Sequence, residues 1–137
     1  MRVVVDTNIV LSGMFWGGIP AQVYDGAIEG RYTLLVTEDL IAELDRVLRY
    51  PKFEKHLTQR GLWINELVAE FRKLAAIVLP AEIPSNAVRD TKDTPILACA
   101  VGGQADFIVS GDSDLLALGA YADIPILTPT QFLERLP

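Results

Sequence analysis

The stretch ADFIVSGDSDLL, residues 105–116, places two aspartates directly after a short apolar run. The run FIVS at 107–110 is typical of a buried β-strand, and LLALGAY at 115–121 predicts a short helix. Ligands of an open parallel sheet bind beyond the carboxyl ends of its strands. If this strand belongs to such a sheet, Asp112 and Asp114 lie at the edge where its binding or active site is expected. The stretch therefore predicts a strand, a turn and a helix with an acidic rim.

Apolar runs alternate with helical patterns along the rest of the chain. Four further strands are predicted at 3–5, 33–36, 76–79 and 125–127. Helical spacing follows Thr37 up to Pro51, which we expect to end that helix. Further helices are predicted within 60–76, after an N-cap at Thr94, and over the terminal TPTQFLERL. We expect a single α/β domain, residues 1–137, with about five parallel strands flanked by helices.

The amino-acid composition limits the kinds of catalytic site that the chain can form. The 137 residues are 50% hydrophobic and the mean hydropathy is +0.28, which favours a compact globule. Cys99 is the only cysteine and His56 the only histidine. This composition excludes an internal disulfide and disfavours a His-rich zinc site and most Ser-His-Asp arrangements. The first apolar run is interrupted at Asp6, too early for a signal peptide or a membrane span, so we expect a cytoplasmic protein. Catalysis would have to come from carboxylates.

Charge is unevenly distributed. The net charge of -6 and the pI of 4.7 count against an extensive nucleic-acid surface. Positive charge is nevertheless concentrated in one short segment, which contains Arg46, Arg49, Lys52, Lys55 and Arg60 and only Glu54 as an acid. The segment is either an edge that contacts phosphates or a solvated helix end and turn, and the sequence leaves both interpretations open.

Three more acids have notable positions. Asp6 follows the first predicted strand, and Glu43 lies at the edge of an apolar helical stripe, where a carboxylate is costly unless it is paired or bound to a cation. Asp93 precedes the buried helix, although Thr94 can cap it.

Each acid also has a purely structural interpretation. Asp112 can be the N-cap of the helix after it, and Asp114 can interact with that helix's dipole. Glu43 can pair with Arg46 on the surface. Taken together, however, three or four carboxylates at one rim repel each other, and no Arg or Lys is evidently adjacent to neutralise them. Oxygen-only ligation suits Mg²⁺ or Mn²⁺, and one or two such ions, roughly 3.5–4 Å apart if paired, would activate a water.

Four segments resemble the PIN-domain family, and specifically the toxin-like PIN ribonucleases of prokaryotic toxin–antitoxin systems. The segments are VVVDTNIVLS (3–12), IAELDRVL (41–48), KDTPILACAV (92–101) and ADFIVSGDSDLL (105–116). They follow the family's order over nearly the whole chain. The resemblance implies a three-layer α/β/α fold and a metal-dependent endoribonuclease that cleaves RNA and is held inactive by a small antitoxin, commonly as a homodimer.

The resemblance also assigns residues. It implies a catalytic metal site of four acids, with a fifth acid in addition and three supporting hydrogen-bonding residues. The four acids are Asp6, Glu43, Asp93 and Asp112, the fifth is Asp114, and the supporting residues are Thr7, Asn8 and Ser110. Asp90 lies three residues before Asp93 and either could be the third acid. Candidates for RNA contact are Arg46, Arg49, Lys52 and Lys55.

Two other functions fit the same acids. An aspartyl-phosphate hydrolase or receiver domain would use an aspartate after a strand as nucleophile, but DSDLL lacks the Thr of a DxDxT motif. A non-catalytic interaction module would use the acids to bind a basic partner without any ion. Mn²⁺ binding distinguishes the module from the nuclease.

Overall fold

The computed structural model describes residues 1–137 as a sheet of six strands flanked by eight α-helices. The elements in chain order are β1 (Arg2–Val5), α1 (Thr7–Phe15), α2 (Ile19–Ile28), β2 (Thr33–Val36), α3 (Glu38–Leu48), α4 (Pro51–Arg60), α5 (Ile64–Leu74), β3 (Ala76–Ile77), α6 (Thr94–Gly102), β4 (Phe107–Val109), α7 (Ser113–Leu118), β5 (Ala120–Tyr121), β6 (Ile124–Leu127) and α8 (Pro129–Arg135). A short 3₁₀ helix, Thr91–Asp93, leads into α6.

The sheet has the order β3-β2-β1-β4-β6-β5. β1 is central and pairs in parallel with β2 and β4, so that Val4 lies beside Leu35 and Ile108. β3 and β6 extend the parallel sheet on its two sides, and β5 is antiparallel to β6. The predicted parallel sheet of about five strands is confirmed, with a two-residue antiparallel strand added at one edge.

Both faces of the sheet are covered. Successive strand residues point to opposite faces, and Val3, Val4 and Val5 are all buried. The core is one cluster of 33 buried hydrophobic residues that joins strands and helices. This is the three-layer α/β/α arrangement that the alternating pattern predicted.

Two predicted boundaries are wrong for local reasons. Pro51 does not end the helix that follows Thr37; α3 stops at Leu48, and Pro51 begins α4, where its missing N–H costs no hydrogen bond. The predicted helix over 115–121 ends at Leu118, because Gly119 has a φ of 69° and the next two residues turn back as β5.

The N-cap of α6 also differs from the prediction. Thr94 has helical dihedral angles and is the first residue of α6. Asp93 occupies the cap position, but its side chain makes no capping hydrogen bond. Thr37 and Thr128 cap α3 and α8, since each side chain accepts a backbone N–H of its helix.

None of the helices combines the length and the apolar character that a membrane span requires.

Candidate active site

An acidic cavity of about 160 Å³ opens at the carboxyl edge of the sheet. Its lining contains all four acids that the sequence assigns to the site, two of the supporting residues, and four further residues. The lining residues are Asp6, Thr7, Asn8, Glu43, Val47, Asp90, Lys92, Asp93, Ile96 and Asp112. Side chains from the β1–α1 junction, α3, the segment before α6, the start of α6 and the β4–α7 turn thus meet at one place.

The sheet itself brings Asp6 and Ser110 together. Hydrogen bonding continues one residue past β1 and β4, because the Asp6 N–H donates to Val109 O (2.9 Å) and the Ser110 N–H donates to Leu127 O (3.0 Å). The buried Ser110 hydroxyl then donates to Asp6 Oδ2 at 2.8 Å and accepts the Asp112 N–H at 3.0 Å. One hydroxyl therefore fixes the positions of two acids from strands that are far apart in sequence.

Asp112 has both of the roles considered from the sequence. It is the N-cap of α7, and its Oδ2 accepts the Leu115 N–H at 3.1 Å. Its side chain also lines the acidic cavity. Capping fixes one carboxylate oxygen and orients the other, so the structural interpretation and the functional one are compatible.

Glu43 is half-buried on the second turn of α3. The Thr7 hydroxyl donates to Glu43 Oε2 at 3.1 Å, which joins α1 to α3 across the cavity. The guanidinium of Arg46 lies 3.9 Å from Glu43 Oε1. The surface pairing considered for Glu43 is therefore present, at the edge of the cavity and not apart from it.

Asp90, Asp93 and Asp114 form a second group of neighbouring acids. One carboxylate oxygen from each lies within 4.8 Å of the others, and all three residues are half-buried. The 3₁₀ helix brings Asp90 and Asp93 to the same side, and the Lys92 N–H donates to Asp90 Oδ1 at 3.0 Å. This trio and the four-acid set share only Asp93. The cavity lining describes the site more fully than this trio does. It also contains Asp6, Glu43 and Asp112, which their hydrogen bonds hold farther apart.

Asp93 is the acid least compensated by the protein. Its Oδ2 is buried and has no hydrogen-bond partner. Burial raises the pKa of Asp93 from 3.8 to about 7, and the neighbouring carboxyl group of Asp112 is the next cause. The charges of Asp6 and Asp90 raise it further. A buried carboxylate oxygen that has no donor and lies among other carboxylates is stabilised either by a proton or by a cation.

Basic residues are nearer to the acids than the sequence indicated. Lys92 lines the cavity and Arg46 is paired with Glu43, so the expectation that no Arg or Lys adjoins the acids is wrong. Lys92 could have been noticed in the run RDTKD, between Asp90 and Asp93. Neither cation supplies a hydrogen bond to Asp93 Oδ2.

The four candidates for RNA contact lie in different surroundings. Arg46 is next to the acidic cavity, whereas Arg49 pairs with Asp45 at 2.8 Å and turns toward α5. Lys52 and Lys55 lie on α4 and belong to none of the three ion pairs of the chain. The basic segment includes the end of α3 and an exposed turn at Arg49 and Tyr50, and it continues as α4 over Pro51–Arg60.

A larger cavity, of about 600 Å³, lies between the end of α3, α4 and the start of α5. Five of its nine lining residues are hydrophobic, and Glu54 is its only acid. Size alone would favour this cavity as the site. The smaller cavity is the candidate active site, because several carboxylates converge there and only one acid lines the larger cavity.

The fold and the acidic cavity define a class: a doubly covered α/β domain with a carboxylate site at the carboxyl edge of its sheet. The family model for the PIN domain matches residues 2–114, and the chain belongs to the PIN-domain family. PIN domains are generally nucleases. No curated protein sequence matches the chain.

Two solved structures share the fold. The PIN domain of human SMG5 is 17% identical, with a TM-score of 0.54 and 98% of each chain covered. VapBC2 from Rickettsia felis, crystallised with a DNA fragment from its promoter, is 13% identical, with a TM-score of 0.58, and the match covers 93% of this chain and 98% of that one.

Proposed function

We propose that the chain is a Mg²⁺- or Mn²⁺-dependent endoribonuclease and the toxin of a toxin–antitoxin pair. One observation carries the proposal: Asp6, Glu43, Asp93 and Asp112 line a single cavity in which Asp93 Oδ2 is buried without a hydrogen-bond partner. A buried carboxylate oxygen with no donor needs a positive ligand, and an all-oxygen donor set suits hard divalent ions.

The residues fit one or two ions. Asp6, Glu43, Asp93 and Asp112 would be the ligands, with Asp90 and Asp114 close to Asp93. Bound there, Mg²⁺ or Mn²⁺ would supply Lewis acidity and an activated water for hydrolysis of a phosphodiester. Asp114 would be the additional acid that the family resemblance implied, close to Asp93.

The chain's own residues would keep these ligands in place. The Ser110 hydroxyl and the Asn8 backbone N–H donate to the two oxygens of Asp6, and the Thr7 hydroxyl donates to Glu43. Each carboxylate oxygen has two lone pairs, so these hydrogen bonds orient the acids without consuming them. Hydrogen bonds of this kind around a metal site keep its affinity high.

The partners follow from the same proposal. RNA would be the substrate, with Arg46, Arg49, Lys52 and Lys55 as candidates for contact. A cognate antitoxin protein would inhibit the chain, and the structural likeness to a protein crystallised as VapBC2 supports this partner. We also propose that the chain forms a homodimer.

Cleavage assays test the activity. Purified protein should cut defined RNAs with Mn²⁺ and stop when a chelator is added, and Asp112→Asn should abolish cutting while the fold remains, because an asparagine amide oxygen can still cap α7. Asp25→Asn, which removes the same charge from an exposed position on α2, is the matched control. Cleavage that ignores the chelator, or survives in Asp112→Asn, contradicts the mechanism.

Calorimetry separates the nuclease from a non-catalytic interaction module. Mn²⁺ should bind with measurable heat to the wild type, and Asp6→Asn should weaken that binding strongly. Absence of any heat in the wild type would favour the module.

A further inference from the structure

Two partly exposed aromatic side chains, Trp16 and Tyr50, lie beside the basic segment. Trp16 is 45% exposed and Tyr50 is 41% exposed. The buried part of Trp16 rests against Phe53, with ring centroids 6.0 Å apart, and the His56 ring meets it edge-on at 5.2 Å. The Trp16 ring is therefore supported by the core while nearly half of its surface remains open to a ligand.

Cations surround this aromatic cluster. Lys52 Nζ lies 5.1 Å from the centre of the Phe53 ring, and the Arg60 guanidinium lies 5.9 Å from that of Phe15. Neither Lys52 nor Arg60 is in an ion pair, so their charges are available to an anion. Arg60 also donates to the Phe15 carbonyl, which fixes its guanidinium beside the end of α1.

The cluster is connected to the acidic cavity by direct contacts. Arg46 lies 3.9 Å from Glu43, a residue of the cavity lining. The Arg46 guanidinium lies 5.7 Å from the centre of the Tyr50 ring and donates to the Tyr50 hydroxyl. Tyr50 is in turn the N-cap of α4, whose first turn carries Lys52.

The same two ends are joined by α1. Asp6 precedes this helix and Trp16 follows it, so about ten residues at about 1.5 Å each separate them by roughly 15 Å. We call the surface formed by Arg46, Tyr50, Lys52, Trp16, His56 and Arg60 the aromatic–basic track.

Single-stranded nucleic acids bind to surfaces that combine positive charge with aromatic rings on which bases stack. We propose that the aromatic–basic track binds single-stranded RNA, with bases stacked on Trp16 and Tyr50 and phosphates beside Lys52. This inference rests on the proposed ribonuclease function and names the form of its substrate. It also explains how an acidic chain holds RNA: the positive charge is concentrated along one path to the site.

Intrinsic fluorescence offers a direct test, because the chain has only two tryptophans, Trp16 and Trp63. In Trp63→Phe, Trp16 is the sole tryptophan, and a single-stranded RNA hexamer added in chelator and low salt should quench its emission. In Trp16→Phe, where only Trp63 remains, the same RNA should leave the emission unchanged. Chelator stops the proposed cleavage, so the signal reports binding.

Affinity provides a second measurement. Trp16→Ala should weaken binding of the labelled hexamer about 10-fold in fluorescence anisotropy, since base stacking on an aromatic side chain contributes on that order. Trp63→Ala is the matched control, because Trp63 is 71% exposed but lies at the larger cavity between α4 and α5. Trp16→Phe keeps an aromatic ring and should retain most of the affinity, which also checks that the fold is intact.

Three results would overturn the proposal: equal loss of affinity in Trp16→Ala and Trp63→Ala, equal binding of a duplex of the same sequence, or a Trp16 signal that depends on protein concentration and ignores RNA. The last would assign the surface to contact between copies of the chain. If the protein cleaves RNA with Mn²⁺ but RNA does not quench Trp16, only the proposed role of the aromatic–basic track is wrong. If RNA quenches Trp16 but no divalent metal supports cleavage, only the proposed ribonuclease function is wrong.

Discussion

Asp93→Asn should stabilise the protein in the absence of divalent metal, and more so as the pH rises. In the folded chain Asp93 holds its proton up to a pKa of about 7, whereas the unfolded chain releases it near 3.8. Between these values the folded state binds more protons, so the free energy of unfolding falls with increasing pH. Asparagine removes the titrating group, and its amide N–H₂ can donate to the neighbouring carboxylate of Asp112.

The size of the effect follows from the pKa. One pKa unit corresponds to about 1.4 kcal/mol, so a rise from 3.8 to about 7 corresponds to about 4 kcal/mol. Asp93 is only half-buried and water screens part of its interaction with the other acids, so we reduce the expected gain at pH 8 to about 1–2 kcal/mol. For a chain of this length that is a rise in Tm of roughly 3–8 °C.

Thermal unfolding in chelator at pH 5 and pH 8 measures this difference. The Tm of Asp93→Asn should exceed that of the wild type at pH 8, and the difference should be clearly smaller at pH 5, because the penalty on the folded wild type grows as the pH rises from 3.8 to about 7. Asp25→Asn controls for the loss of one negative charge. Saturating Mn²⁺ should raise the Tm of the wild type at pH 8 more than that of Asp93→Asn. Equal Tm values for the wild type and Asp93→Asn at pH 8 would refute the reasoning.

One further substitution tests the hydrogen bonding of the acidic cavity, and another tests the close packing of the end of α6. Ser110→Ala removes the hydroxyl that donates to Asp6 at 2.8 Å, so Mn²⁺ affinity measured by calorimetry should fall about 10- to 100-fold. Ser113→Ala removes an exposed hydroxyl at the start of α7 and should have no effect. Unchanged affinity in Ser110→Ala would show that this hydroxyl does not organise the acids. Gly102→Ala would place a Cβ 2.0 Å from a backbone carbonyl oxygen and should lower the free energy of unfolding by about 1–3 kcal/mol in urea, whereas Gly17→Ala has open space around it; similar urea midpoints for the two would contradict the close packing at Gly102.

The parallel sheet and the acids at its edge were predictable because both depend on short patterns. An apolar run such as 33–36 identifies a buried strand whatever surrounds it, and β2 has the predicted bounds. An acid directly after such a run, as with Asp6, must lie at the carboxyl edge. These inferences need only the order of residues along the chain.

The first two helices were not predicted, because their sequences do not show the usual contrast between an apolar and a polar face. In α1, IVLSGMF is apolar on nearly every side, and Gly17 and Gly18 before α2 resemble a loop. Pro51 was misassigned for a different reason: proline is equally suited to follow one helix and to begin the next. Only the packing of Phe53 and Leu57 into the core decides between the two.

The choice between Asp90 and Asp93 could not be made from sequence because the local conformation places both at the site. A 3₁₀ helix has about three residues per turn, so side chains at positions i and i+3 lie one above the other. Asp90 caps such a turn and Asp93 ends it, and both line the acidic cavity. Asp90 Oδ1 already accepts a backbone N–H, whereas Asp93 Oδ2 is buried and accepts none. Asp93 is therefore the stronger candidate for a direct ligand, and Asp90 contributes mainly by adding negative charge beside it.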